Sequence, residues 1–139
     1  MRVVPDTNIL ISAFVFPGGS PESVYRAGIQ RRIELVTSPP LLAEFGRVLS
    51  EKFGWEPSFV EEAVVQIARI GTIVRPRQRL AVVKDDPDDD RVLEAAIAGG
   101  TEAIVSGDRH LLRLGRWDKI RILKAAALLE ELGIGPNDV

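Results

Sequence analysis

Short, uniformly apolar runs alternate with longer segments of helical pattern along this chain, and that alternation restricts the fold most. The apolar runs are residues 3–4, 33–37, 103–106 and 120–123. Strands that are mostly apolar, without a regular polar/apolar alternation, have both faces buried, which is typical of a parallel sheet covered by helices. The sequence therefore predicts an α/β fold, a three-layer α/β/α sandwich with a central, mainly parallel sheet.

The helices predicted between these strands are marked by caps, prolines and glycines. Ser20 is expected to be an N-cap with Pro21 at the first helical position, and Ser38 is expected to begin another helix. Asp88 or Asp89 is expected to cap the helix that begins near residue 90. The predicted helical segments are residues 9–15, 20–28, 38–49, 57–70, 90–98 and 124–132.

Length and composition favour one domain spanning residues 1–139, with enough of its 45% hydrophobic residues to bury a core. The absence of cysteine excludes a disulfide framework and thiolate metal sites. A net charge of −2 argues against nonspecific coating of nucleic acid. Without a signal-peptide pattern or a long apolar run, a soluble cytoplasmic protein with no membrane partner is expected.

Acidic residues follow the first strand and the strand at residues 103–106. Because ligands gather outside the carboxyl ends of parallel strands, Asp6 and Asp108 are expected at one edge of the sheet. Glu44 falls at the border of an apolar helical stripe, from which its carboxylate can reach a cleft. The run KDDPDDDRVL supplies a fourth acid. Helical phase aligns Asp89 better than Asp90 with the following apolar residues, but spacing leaves the choice open.

Four converging carboxylates raise one another's pKa unless a counter-charge is present. Mg²⁺ or Mn²⁺ prefers oxygen ligands and retains several waters, so such an ion suits this set. An ion of this kind can activate water and stabilise charge on a phosphodiester. His110 is the only histidine, which excludes a histidine-rich zinc site, and Ser106 has no nucleophile-elbow context.

With these residues the chain resembles the PIN-domain family, in particular the VapC-like toxin ribonucleases of type II toxin–antitoxin systems. No single motif is specific, but the order and spacing of the motifs are. The matching segments are DTNILISAF at residues 6–14, LLAEF at 41–45, DDRVLEAAIAGG at 89–100 and IVSGDRHLL at 104–112.

The resemblance implies a metal-dependent endoribonuclease that cleaves single-stranded RNA. By the family's intervals, its four acids correspond to Asp6, Glu44, Asp90 and Asp108. Glu44 would bind the Mg²⁺ or Mn²⁺ through water or help to position the attacking water, and the other three would hold the ion. Thr7, Asn8 and Ser106 match the family's polar positions, and Arg109 is expected to contact the substrate. His110 replaces an acid found in many relatives. The resemblance also implies a homodimer and an antitoxin protein as partners.

Two basic segments flank the acidic residues and could form a phosphate track for RNA. They comprise Arg75, Arg77, Arg79 and Lys84 before the acidic run, and Arg109, Arg113, Arg116, Lys119, Arg121 and Lys124 after Asp108.

Two rival classes remain. An aspartyl-phosphate enzyme is disfavoured because Asn8 stands where the phosphatases need a second aspartate. A catalytically inactive PIN-like module for RNA binding or dimerisation is disfavoured because all four acids are present.

Overall fold

The computed structural model describes residues 1–83 and 86–135 of the 139-residue chain. Within these residues six strands form one sheet, in the spatial order β3-β2-β1-β4-β6-β5. Neighbouring strands are parallel except for β5, which is antiparallel to β6. The strands are β1 (Arg2–Pro5), β2 (Glu34–Thr37), β3 (Thr72–Ile73), β4 (Ala103–Val105), β5 (Arg116–Trp117) and β6 (Ile120–Leu123).

Seven helices in the same described ranges connect these strands. None of them is long and apolar enough to cross a membrane. The helices are α1 (Thr7–Val15), α2 (Ser20–Ile29), α3 (Pro39–Glu51), α4 (Pro57–Ile70), α5 (Pro87–Ala98), α6 (Arg109–Leu114) and α7 (Ala125–Glu131).

Consecutive residues of the central strands point to opposite faces of the sheet, and both faces are buried. Val3 and Val105 pack with apolar residues of α1, α2, α3, α4 and α7, whereas Val4 and Ile104 pack mainly with α5 and α6. All four of these strand residues are fully buried. Two cores separated by a mostly parallel sheet confirm the predicted three-layer α/β/α sandwich.

Three helix starts test the predicted caps. Ser38 caps α3, because its side chain accepts a hydrogen bond from the backbone N–H of Leu41. The prediction for Ser20 is wrong: Gly19, in an extended conformation, precedes the helix, and Ser20 is already its first residue. The predicted cap at Asp88 or Asp89 is also wrong. Asp86 caps α5, since the fixed φ of Pro87 suits the first helical position.

Candidate metal centre

The register of the sheet places Asp6 next to Ser106. Pro5, the last residue of β1, is paired with Val105, the last residue of β4. The backbone N–H of Asp6 donates a hydrogen bond to the carbonyl oxygen of Val105 at 2.9 Å. The residues that follow these two strands therefore emerge side by side at the carboxyl edge of the sheet.

The Ser106 hydroxyl connects the two acids predicted at this edge. It donates a hydrogen bond to Oδ2 of Asp6 and accepts one, at 2.9 Å, from the backbone N–H of Asp108. Ser106 is fully buried, and Asp6 is only 3% exposed. The serine therefore fixes the position of Asp6 relative to the loop that contains Asp108.

Three acidic residues at this edge are also helix N-caps. Oδ1 of Asp6 accepts a hydrogen bond from the backbone of α1 at 2.9 Å, and Oδ1 of Asp86 accepts one from α5 at 3.1 Å. Oδ1 of Asp108 accepts two from α6, at 2.7 and 3.3 Å. Each carboxylate is thus held at a helix start, where the helix dipole favours negative charge.

Asp89, in the first turn of α5, completes the cluster. Asp86, Asp89 and Asp108 each offer a carboxylate oxygen, and these oxygens all lie within 4.8 Å of one another. Asp89 is only 7% exposed, and its Oδ2 has no hydrogen-bond partner among the described residues. A buried carboxylate oxygen without a partner is costly. An oxygen-preferring divalent cation would satisfy it, so these residues fit Mg²⁺ or Mn²⁺.

The electrostatics of the cluster also favour a cation. Burial raises the pKa of Asp89 to about 8, with further contributions from the hydrogen bond to Asp108 and from the charges of Asp86, Asp108 and Asp6. Burial also raises the pKa of Asp6 to about 6, although the Ser106 hydroxyl acts in the opposite direction. No ion pair between described residues includes any of these four acids. Without metal, a raised pKa of this size leaves Asp89 protonated near neutral pH.

A small cavity at this edge brings several of the predicted site residues together. Its volume is about 50 Å³, and a water molecule needs about 10–15 Å³, so an ion with a few waters fits. Glu44 is half-buried there, and its pKa is raised by burial and by the negative charge of Asp88. The polar lining residues are Asp6, Thr7, Asn8, Glu44, Asp86, Asp88 and Asp89.

The structure does not bring Asp90 to this cavity or to the acidic cluster. Oδ1 of Asp90 instead accepts hydrogen bonds from the backbone N–H groups of Val82 and Val83, both at 2.9 Å. Residues 89 and 90 are neighbours on a helix, so their side chains point about 100° apart. The acid beside Asp108 is therefore Asp89, whereas the spacing of the family's motifs predicts Asp90 at that position.

Several residues of the two basic segments line cavities other than the acidic one. Arg75 and Arg77 line a separate cavity beside α5, and Arg116 and Lys119 line another beside Thr101. Arg121 is paired with Glu131. Arg109, which is expected to contact the substrate, is exposed at the start of α6, next to Asp108. His110, the following residue, is half-buried. Lys84 lies outside the described residues.

Asp86 is the cluster residue that the sequence interpretation missed. The sequence marks Asp86 only as part of an acidic run, whereas the structure places it beside Asp89 and Asp108. The order Asp-Pro at residues 86–87 was the available signal, because proline favours the first helical position and aspartate the preceding cap. A cap residue whose helix starts at the sheet edge also faces that edge.

An α/β/α sandwich whose clustered carboxylates, at the carboxyl edge of the sheet, form no ion pair with any described residue defines a candidate metal-dependent hydrolase. The comparison with protein families then gives the particular family: the PIN domain model matches residues 2–110, and this chain belongs to the PIN domain family. PIN domains are generally metal-dependent nucleases, and PIN nucleases bind RNA.

A similar protein is "Uncharacterized protein MJ1680" of Methanocaldococcus jannaschii. The two chains are 28% identical over 118 residues, which cover 82% of this chain and 75% of that protein.

Proposed function

We propose that this protein is a Mg²⁺- or Mn²⁺-dependent endoribonuclease that cleaves phosphodiester bonds in single-stranded RNA. The observation that supports this most is the buried Oδ2 of Asp89, which has no hydrogen-bond partner in the described part of the chain and belongs to the cluster with Asp86 and Asp108. A structural acidic cluster would be expected to satisfy such an oxygen with an N–H group or an arginine. In a metal-dependent nuclease, such an oxygen remains free of protein partners because it is a ligand of the metal ion.

Within this proposal, Asp6, Asp89 and Asp108 hold the ion, and Asp86 contributes a fourth carboxylate. Asp89 replaces Asp90 as the third acid of the family pattern, because the side chain of Asp90 is engaged elsewhere. Ser106 keeps Asp6 and Asp108 in register through its two hydrogen bonds. When bound, the ion lowers the pKa of a coordinated water and stabilises negative charge on the phosphodiester.

Other residues at the cavity would act on water and on substrate. Glu44, half-buried and with a raised pKa, would orient the attacking water or accept its proton. Thr7 and Asn8 line the same cavity and would hydrogen-bond to a phosphate or to ligand waters. Arg109 is exposed beside Asp108 and would contact the RNA backbone.

The biological role we propose is that of a toxin in a type II toxin–antitoxin pair. This role is proposed because the order of the motifs resembles that of VapC-like toxins. We further propose that residues 1–139 form one nuclease domain, that the protein is a homodimer, and that an antitoxin protein blocks the cavity. A short neighbouring reading frame for a DNA-binding protein with a flexible tail would support this role. Co-purification of the two gene products without loss of nuclease activity would contradict inhibition at the site.

Cleavage of single-stranded RNA by the purified protein, with and without Mn²⁺, tests the proposed activity. We expect cleavage only with the divalent ion, and a loss of about 100-fold or more in Asp6→Asn, since a ligand to the metal is removed. Asp118→Asn is the matched control, because Asp118 is exposed and has the positive φ that asparagine also tolerates. Metal-independent cleavage, or full activity in Asp6→Asn, would refute the proposal.

A further inference from the structure

Residues 74–83, here called the strap, run along α5 without regular secondary structure. Three side chains of α5, which lie within little more than one helical turn, bind the strap. The backbone N–H of Leu80 donates to Oε2 of Glu94 at 2.7 Å, and a guanidinium nitrogen of Arg91 donates to the Leu80 carbonyl at 3.1 Å. Oδ1 of Asp90 then accepts from both Val82 and Val83. The strap is therefore held by side chains of α5, not by a strand.

The end of the strap is connected to the metal centre. The carbonyl oxygen of Val83 accepts a hydrogen bond from the backbone N–H of Asp86 at 3.4 Å. Asp86 in turn offers a carboxylate oxygen to the cluster with Asp89 and Asp108. A displacement of Val83 would therefore shift Asp86 relative to the other two acids.

Asp90 is placed to control that displacement. It is 3% exposed, so its two hydrogen bonds to the strap are shielded from water, and hydrogen bonds are electrostatically stronger in such an environment than in solvent. It also directly follows Asp89 in α5. One of the three side chains that hold the strap therefore lies in the helix turn that bears a proposed metal ligand.

We propose that Asp90 is a positioning residue that holds Asp86 in the metal centre by anchoring Val82 and Val83, without contacting the ion. The inference rests on the proposed metal-dependent function. It divides the three consecutive aspartates of α5 into separate roles: Asp88 is exposed at the cavity, Asp89 binds the ion, and Asp90 fixes the strap.

Two substitutions separate this role from direct metal binding. Asp90→Asn retains an oxygen that can accept from both backbone N–H groups, whereas Asp90→Ala removes it. If Asp90 is a positioning residue, Mn²⁺ affinity measured by calorimetry should fall about 10- to 100-fold in Asp90→Ala and remain close to wild type in Asp90→Asn. If Asp90 is a ligand, both variants should lose affinity to a similar extent, and that result would overturn the inference.

Amide hydrogen exchange gives a readout that does not depend on the metal. The amides of Val82 and Val83 should exchange faster in Asp90→Ala than in Asp90→Asn, because only the alanine variant leaves them without an acceptor. Unchanged exchange in Asp90→Ala would contradict the anchoring role. If Asp90→Ala does not fold, Asp90→Asn still distinguishes the two roles by whether it binds Mn²⁺.

Glu94→Ala is the matched control, since it releases the strap at Leu80, farther along the chain from Asp86. Its Mn²⁺ affinity should fall less than that of Asp90→Ala, and an equal loss would indicate general loosening and overturn the specific role. Wild-type protein that does not bind Mn²⁺ would refute the metal centre itself, and the inference with it. Wild-type binding with an unaffected, folded Asp90→Ala would refute the inference alone.

Discussion

Carboxylates at the periphery of this protein and carboxylates at the carboxyl edge of its sheet have opposite electrostatic properties. At the periphery, hydrogen bonds from Thr72 and Arg2 lower the pKa of Glu34. The hydrogen bond and positive charge of Arg121 likewise lower the pKa of Glu131. Both glutamates are ionised and paired, as is usual for surface carboxylates.

At the sheet edge, the same chemical group is buried among like charges. Burial and neighbouring carboxylates raise the pKa of Asp89 to about 8, and burial raises that of Asp6 to about 6. Groups arranged at a cost to the fold are expected where function requires them. The comparison indicates that these peripheral carboxylates are compensated by neighbouring side chains, whereas the electrostatics of the sheet edge favour a positive ligand.

The largest effect that follows concerns Asp89. Asp89→Asn should reduce Mn²⁺-dependent RNA cleavage about 100-fold or more, because it removes a carboxylate that lies within 4.8 Å of those of Asp86 and Asp108. Glu131→Gln should leave cleavage unchanged, since Glu131 contacts Arg121 far from the cluster. Rates under single-turnover conditions, with folding checked by circular dichroism, provide the measurement. Equal rates for the two variants would remove the functional distinction between the two regions.

The second effect is on stability and depends on pH. Because the folded pKa of Asp89 is about 8 and that of Asp6 about 6, the metal-free folded state binds more protons than the unfolded state between about pH 4 and pH 8. The free energy of unfolding should therefore decrease as the pH rises through this window. The contribution of these two carboxyl groups to the free energy of unfolding is fully present below about pH 4 and is lost above about pH 8.

Urea unfolding in the presence of a chelator, at several pH values, tests this expectation. Asp89→Asn should show a weaker pH dependence and, near pH 8, exceed the wild type in stability by roughly a few kcal/mol. Adding Mn²⁺ should stabilise the wild type more than the variant, because only the native wild-type site has its full set of ligands. A wild-type protein that becomes more stable as the pH rises would contradict the raised pKa values.

The fold was predictable because buried parallel strands and helix signals leave a direct pattern in the sequence. Uniformly apolar strands such as residues 103–106 indicated burial on both faces, and the structure confirms it. The two-residue strand β5 and the six-residue helix α6 were not predicted, since such short elements have no measurable periodicity. They depend on neighbours such as β6, which β5 joins through an antiparallel pair.

The candidate site was predictable only in part, because its composition depends on side-chain directions within one helical turn. Helical phase favoured Asp89, whereas the interval to Asp108 in the family pattern favoured Asp90. The structure adds what neither argument contained: the backbone of Val82 and Val83 approaches Asp90 and occupies its carboxylate. A contact with an irregular segment leaves no periodic signal, so coordinates were needed to separate the two adjacent aspartates.

The smallest effect concerns the peripheral pair of Arg121 and Glu131, whose side chains are 33% and 44% exposed. Glu131→Gln should lower the midpoint of thermal unfolding only slightly, because solvent screens exposed ion pairs and the two long side chains lose entropy when they pair. The difference from wild type should shrink further at high salt, and Mn²⁺ affinity should not change. Thermal unfolding at low and high salt measures this. If the destabilisation persists at high salt, the pair stabilises the protein through more than a solvent-exposed charge interaction. The peripheral carboxylates and those at the sheet edge would then differ only in the size of their effects.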